Sequence, residues 1–252
     1  MNTATVDDSN FATFLQPLDL EGRVLAVSRL PGRKLFTTSL GIEDQVITAA
    51  IARSGAAIEL ATLETGRLFP ETLELIDVTQ TRYGLTIERF RPQDSEAIQY
   101  AAAYGVNGFY DSVEARHACC QFRKLAPLSR ALQGVSVWIT GVRRGQSGAR
   151  ADAQLCEFDE ARGILKINPL ADADLEIVQR YATQHEVPLN PLHARGYPSI
   201  GCEPCTRAIK PGEPERAGRW WWEQDLTREC GLHVKPGTSR VVQHPSSQAL
   251  SS

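Results

Sequence analysis

Between residues 34 and 140, short β-branched and aromatic runs alternate with longer amphipathic stretches, and this alternation restricts the fold more than any other feature of the chain. Parallel neighbours in a sheet need a crossover of a dozen residues or more, usually a helix that covers one face. The pattern predicts strands at 34–38, 57–63, 86–90 and 136–140. Helices are expected at 42–53, 70–83 and 94–104, after a helical opening stretch over 11–30. Pro70 falls in the first turn of its helix, where the missing N–H leaves no bond unmade. The expected class is therefore α/β: an open, mostly parallel sheet flanked by helices, with no internal repeat.

From about Asn190 the texture changes to Pro, Gly, Cys and charged residues, with a tryptophan triplet at Trp220, Trp221 and Trp222 and a polar tail from Lys235 onward. This is too irregular for another βα unit. It predicts an irregular C-terminal lid or tail laid over the sheet, with 239–252 disordered or weakly docked. The expected division is a helical segment over 1–30, an α/β domain over 31–210 and a C-terminal segment over 211–252.

A chain of 252 residues buries roughly 70–75% of its unfolded surface and needs no metal or disulfide merely to form a core. With 27 Lys+Arg against 30 Asp+Glu, it lacks the cationic field that nucleic-acid or membrane-surface binding exploits, so neither partner is expected. Asp7 and Asp8 stand where a secretory signal would carry basic residues, and no apolar run approaches the roughly 18 residues of a membrane span. The six cysteines form a tandem pair (Cys119, Cys120), a C-x-x-C (Cys202, Cys205) and two singles (Cys156, Cys230), unlike a secreted disulfide framework. A soluble cytoplasmic protein with working thiols is expected.

Charge distribution says more than net charge. Residues 116–150 hold seven basic side chains (Arg116, Arg123, Lys124, Arg130, Arg143, Arg144, Arg150) and no Asp or Glu. Such a run suits an anion, although guanidinium forks also pair with carboxylates distant in sequence. The loop Gly141–Arg150 follows a strand and combines glycines with three guanidiniums, as a phosphate or sulfate clamp would. Thr38–Asp44 follows a strand and opens a helix, where backbone N–H groups can hold an anion or simply form a Ser-capped turn. Glu64-Thr65-Gly66-Arg67 follows the next strand and aims a second polar loop at the same crevice.

The two cysteine pairs lie about eighty residues apart and meet only through the fold. Cys119, Cys120, Cys202 and Cys205 suit a cubane iron-sulfur cluster. Cys202, Cys205, Cys230 and His233 form a legitimate tetrahedral zinc set. Cys202 and Cys205 alone form a redox pair in a third reading. Cys230 is a nucleophile if positive charge lowers its pKa, and otherwise an inert buried thiol. Cys156 has no partner motif and reads as a buried inert cysteine, and the tryptophans read as packing or interface.

The motifs TSLGIED (38–44), LETGRLFPE (63–71), CCQFRK (119–124), TGVRRGQSGAR (140–150), KINPL (166–170), GYPSIGCEPCT (196–206), RAGRWWWE (216–223) and ECGLH (229–233) run in order over the chain. Together they resemble the assimilatory sulfonucleotide reductases, specifically the adenylyl-sulfate (APS) reductase type that carries a 4Fe-4S cluster. The resemblance implies an adenine nucleotide alpha hydrolase-like fold, one 4Fe-4S cluster on Cys119, Cys120, Cys202 and Cys205, and Cys230 as nucleophile. It also implies a substrate clamp of Lys124, Arg150, Arg216 and Arg219, with Arg143 and Arg144 either joining it or bracing their loop. Ser39, Leu40, Gly41, Gly66 and Arg67 would hold the nucleotide. His233 would tune the thiolate, bind substrate or cap local structure. Relatives acting on 3'-phospho-APS (PAPS) typically lack both cysteine pairs while keeping ECGLH, which points to APS. Reduced thioredoxin or a glutaredoxin-like donor, a dimer or tetramer, and a place in sulfate assimilation and cysteine biosynthesis follow from the same resemblance. The rival readings are a PAPS reductase, a zinc module, and an ATP-dependent adenylating or thiolating enzyme, whose S-G-G-x-D-S loop Thr38–Asp44 does not match.

Overall fold

The fold is given by a computed structural model that describes residues 8–223. The opening stretch is two helices, α1 (Asp8–Leu15) and α2 (Leu20–Ser28). Pro17 stands between them, and Asp19 caps α2 by accepting the Gly22 N–H at 2.8 Å. The four expected strands are β1 (Arg33–Thr38), β2 (Glu59–Leu63), β3 (Ile87–Phe90) and β4 (Val135–Ile139). Between them lie α3 (Ile42–Ser54), α4 (Pro70–Tyr83) and α5 (Asp94–Tyr104). Gly55 and Gly84 end α3 and α4 in the left-handed conformation that glycine adopts without a Cβ penalty.

Several elements were not foreseen from the sequence. After α5 come α6 (Val113–Cys120), one π-helical turn over Gln121–Leu125 and α7 (Ala126–Ala131), which together carry most of the basic run. Beyond β4, β5 (Cys156–Asp159), which agrees with the strand-like surroundings of Cys156 in the sequence, forms a hairpin with the unforeseen β6 (Ile164–Ile167), and α8 (Leu175–Gln184) follows.

The sheet order is β3-β2-β1-β4-β6-β5, parallel throughout except for the β5–β6 pair. The chain builds outward from β1 to β3 and returns on the other side of β1 as β4. The carboxyl ends of β1 and β4 therefore flank a topological switch point, where open α/β sheets form their ligand crevice.

Alternating side chains of β1 serve opposite faces. Phe36 belongs to one buried cluster with Val46, Ile47 and Ile51 of α3 and with Leu15, Val24 and Val27 of α1 and α2. Leu35 packs with Ala61, Trp138 and Leu128 beneath α7. Each fully buried aliphatic or Phe side chain contributes about 1.5–3 kcal/mol over exposure, so two covered faces hold the switch point rigid. A further cluster away from the sheet gathers Cys119, Cys120, Cys202 and Cys205 with Tyr100, Phe109, Phe122 and Trp220. The segment from Asn190 to Glu223 has little regular structure among its described residues and is tied down by isolated bridges, Leu68 with Cys202 and Thr206 with Arg219.

Candidate functional site

A cleft of about 170 Å³ opens at the switch point. Its floor comes from Thr38, Ser39 and Gly41 after β1, Thr62 and Thr65 at the end of β2, and Thr140 and Gly141 after β4. The irregular C-terminal stretch supplies the opposite wall with Ser199–Cys202 and Glu215, Arg216, Arg219 and Trp220. In the β1–α3 turn the Ser39 N–H and hydroxyl both donate to Asp44 Oδ2, at 2.5 and 2.6 Å. Burial pushes the Asp44 carboxyl up to about 6, against the pull of the Ser39 donors. A Cβ on Gly141 would stand 1.9 Å from Asp44 Oδ1, so only glycine lets the β4 loop cross this turn. Leu40 lies at φ 60, with its side chain in the core and its N–H on Thr38 Oγ1 at 3.0 Å; it does not line the cleft.

Lys124, Arg150, Arg216 and Arg219, distant in sequence, all line this cleft. Gln146 orders the loop that carries Arg150: its Oε1 accepts from Arg150 Nη1 at 2.6 Å and from the Arg143 N–H at 3.1 Å. Arg143 is buried and pairs with Glu43 at 3.1 Å and Glu215 at 3.0 Å, bracing the loop behind the cleft. Arg144 donates to the Ala153 carbonyl at 2.7 Å outside it. Arg67 donates to Asn107 and Val106 and faces the thiol cluster, while Gly66, at φ 69, shapes the turn before it.

Beside the cleft, Cys119, Cys120, Cys202 and Cys205 line one smaller pocket with Arg67, Arg116, Arg123 and Lys124. All four cysteines are buried. Cys119 and Cys120 end α6, and the π turn that follows widens the helix where Arg123 and Lys124 project. The C-x-x-C turn is pinned by Glu203 N–H on Arg67 O at 2.8 Å and Trp220 N–H on Cys205 O at 3.2 Å. Thr65 Oγ1 lies 3.3 Å from Cys202 Sγ. Burial pushes the Cys205 thiol up to about 12 and raises that of Cys119, although Arg123 beside Cys119 pulls the other way. Lys124, Cys202 and Trp220 line both pockets and form the wall between them.

Among the described residues no three His, Cys, Asp or Glu side chains are arranged to hold a single metal ion. A cubane is several ångström across and takes its thiolates farther apart than one ion does. The surroundings suit such a group. Tyr100 Oη, Arg116 Nη1 and Arg123 Nε are buried donor atoms without a hydrogen-bond partner, and all three residues pack around the four thiols. Buried donors left without acceptors are costly, and a sulfur-rich anionic group in the pocket would satisfy them. Cys230 and His233 lie outside the described residues, and with them half of the zinc set.

The phosphoadenosine phosphosulfate reductase domain matches residues 33–208, more than half of the chain. The chain belongs to this reductase family. It is 62% identical over 231 residues to an adenosine 5'-phosphosulfate reductase of Agrobacterium fabrum, covering 92% of this chain and 89% of that protein. With the enzyme of the same name from Allochromatium vinosum it shares 56% over 213 residues, 84% of this chain and 83% of the other. Among solved structures, a phosphoadenylyl-sulfate reductase of Candida auris in a phosphate complex superposes with TM-score 0.67 at 28% identity, covering 83% of this chain and 99% of that one. Yeast FAD synthetase superposes at TM-score 0.51 and 12% identity over 82% of this chain and 70% of its own, a likeness of fold alone. The observed sheet is thus the adenine nucleotide alpha hydrolase-like arrangement expected from the sequence.

Sequence reasoning missed residues that shape this reductase site. Asp44 fills the β1–α3 turn, Gln146 orients Arg150, and Thr65 reaches Cys202. All three lie in stretches that the sequence marks as following strand ends, 38–44, 64–67 and 141–150, but nothing in the sequence sets these side chains apart from their neighbours there. Trp220 was read as packing; it is 1% exposed, and the guanidiniums of Arg116 and Arg219 lie 4.8 and 4.7 Å from its ring. Cys156 is buried in β5, and burial pushes its thiol up to about 12, in keeping with an inert core residue.

Proposed function

We propose that this chain reduces APS to sulfite and AMP with electrons from a dithiol protein of the thioredoxin or glutaredoxin type, in sulfate assimilation and cysteine biosynthesis. The observation that carries the reading is the shared wall of Lys124, Cys202 and Trp220, which sets a four-cation cleft directly against a four-thiol pocket. Sulfate and phosphate on a nucleoside need several cations, and Lys124, Arg150, Arg216 and Arg219 are suitably distributed to receive them. Ser39 and Gly41 line the nucleotide end of this cleft in the proposal, and Arg143 and Arg144 brace it.

Cys119, Cys120, Cys202 and Cys205 would hold one 4Fe-4S cluster, which supplies charge and positioning beside the cleft. Cys230 is the proposed nucleophile. Its thiolate attacks the sulfur of APS, and AMP leaves with the electron pair of the S–O bond. A thiolate of the donor protein then attacks Cys230 Sγ of the resulting S-sulfocysteine and expels sulfite with the electron pair of the S–S bond. The donor's second thiol resolves the mixed disulfide, so the substrate gains two electrons and the donor becomes a disulfide. His233 is assigned to the neighbourhood of that thiol. A cytoplasmic homo-oligomer completes the proposal; among the described residues no helix is long and apolar enough to cross a membrane.

Cys230→Ser should abolish sulfite release while iron content and AMP binding persist, and turnover at the parent rate would overturn the nucleophile assignment. Parallel assays on APS and PAPS decide the substrate. Preferential turnover of PAPS would replace the APS reading, and a colourless protein containing zinc would remove the cluster.

A further inference from the structure

Arg116 is 3% exposed and stands in α6, one turn before the tandem cysteines, yet nothing in the proposed chemistry uses it. Its Nε donates to Glu223 Oε1 and its Nη2 to Glu223 Oε2 at 3.1 Å, with His117 Nε2 3.0 Å from Nη2. Both side chains are almost wholly buried, at 3% and 4% relative exposure. A buried ion pair is costly to desolvate and is seldom the cheapest source of stability, so a role in fixing one geometry is the better explanation.

The geometry held in this way is that of Trp220. Its φ of 45° is a left-handed conformation that a bulky residue adopts only when its surroundings over-determine it. Three contacts do so: Trp220 N–H on Cys205 O, Glu223 N–H on Trp220 O at 3.0 Å, and the Arg116 guanidinium 4.8 Å from the indole. The next guanidinium along, that of Arg219, lies 4.7 Å from the same ring, reaches the Ile200 carbonyl at 3.4 Å and lines the cleft. The third nitrogen of the Arg116 guanidinium, Nη1, is buried without a partner in a residue that lines the thiol pocket.

We propose that Arg116 and Glu223 are positioning residues: one buried fork locks the strained Trp220 turn, which sets Arg219 in the cleft, and its remaining N–H donates to the group held by the four cysteines. Arg116 thereby joins the thiol pocket to the substrate clamp without touching substrate. The donation to that group rests on the iron-sulfur reading of the pocket; the positioning of Arg219 does not.

The test uses the full-length, anaerobically purified protein, with AMP as the binding probe. Glu223→Gln keeps the shape and removes the charge. It should weaken AMP binding in calorimetry and raise KM for APS, each about tenfold, with kcat within twofold and iron and sulfide unchanged. Arg116→Lys should do the same and in addition move the reduction midpoint of the cluster to more negative potential, since a lost donor destabilises the more negative state. Trp220→Phe, which weakens the stack and leaves the ion pair, should give a smaller KM rise and serves if Glu223→Gln does not fold. Unchanged AMP affinity and KM in an iron-replete Glu223→Gln or Trp220→Phe protein would overturn the positioning role. An unmoved midpoint in Arg116→Lys would overturn the donation alone. Absence of iron from the parent protein would defeat the cluster reading and leave the AMP arm of the test intact.

Discussion

Two glycines in the cleft separate a stability effect from a binding effect. A Cβ at 141 meets Asp44 Oδ1 at 1.9 Å, and that carboxylate is fixed by two short bonds from Ser39. Gly141→Ala should therefore destabilise the protein by about 1–3 kcal/mol, read in urea unfolding. At 201 the new methyl meets the Arg219 guanidinium, Nη2 at 2.2 Å and Cζ at 2.5 Å, and pushes the end of that side chain out of its place in the cleft. Gly201→Ala should leave unfolding almost unchanged but raise KM severalfold, and the opposite pattern would contradict the contacts. Asp44 adds a pH signature. Its folded pKa of about 6 is raised above the ordinary 3.8 by burial, with Glu43 adding to the rise and Arg150 opposing it. The neutral form is the favoured one, so its stabilising contribution is complete below about 3.8 and is lost as pH climbs through about 6. At about 1.4 kcal/mol per pH unit this loss is on the order of 3 kcal/mol. Asp44→Asn should gain on the parent by that order between pH 4 and 7 in denaturant unfolding, and a pH-independent difference would rule the assignment out. None of this was visible in the sequence, where Asp44 was merely the last letter of a strand-to-helix turn.

Elements were legible where periodicity, length and punctuation agreed. Helix α4 lies where Pro70 and Gly84 bracket it, and α5 runs from Asp94 to Tyr104 as its pattern predicts. The stretch from α6 through α7 was illegible because its face is divided: Arg116, Cys119 and Cys120 turn into a polar, thiol-lined pocket, while Leu128 and Ala131 turn to the sheet. No single apolar stripe survives to be read, and Pro127 in the first turn of α7 obscures the continuity further. Strand β6 is no shorter than β3, but it follows β5 as an antiparallel hairpin partner rather than after a crossover helix, so the strand-helix alternation that marks β3 does not mark it. Helix α6 depends on its start. Ser112 Oγ accepts the Ala115 N–H at 3.0 Å, so Ser112→Ala should cost about 1 kcal/mol in global unfolding. Because the cap is a full helix away from Cys119, iron content should not change; a loss of iron without a loss of stability would show that the cap acts on the pocket instead.

On the scale of the whole molecule, the sheet and the thiol pocket are separately built. The core around Phe36 and Ile47 includes none of the four pocket cysteines, and the cluster around them includes no strand residue. What connects them is the wall of Lys124, Cys202 and Trp220 and the bridges that tie Cys202 to Leu68 and Arg219 to Thr206. The family's adenine nucleotide alpha hydrolase-like sheet was readable from alternation because it repeats one local rule; the four cysteines were readable as one ligand set from their pairing, but the pocket walls around them, Tyr100, Phe109, Arg116 and Trp220, were not, because no local pattern links segments that meet only through the fold. This construction predicts a graded response to removing the proposed cluster. A group that binds only the folded pocket adds its binding free energy to stability there, and its loss exposes four buried thiols and the donors of Tyr100, Arg116 and Arg123. Anaerobic chelation of iron under reduction should therefore lower the melting temperature and weaken AMP binding, because Lys124 lines both the thiol pocket and the cleft. The far-UV circular dichroism should keep most of its amplitude, since α1–α4, α8 and the six strands retain their own core. Reconstitution with iron and sulfide should restore AMP binding and the melting temperature together. Loss of the whole spectrum on chelation would mean that sheet and pocket fold as one unit, and unchanged AMP affinity in iron-free protein would mean that the wall stands without the cluster.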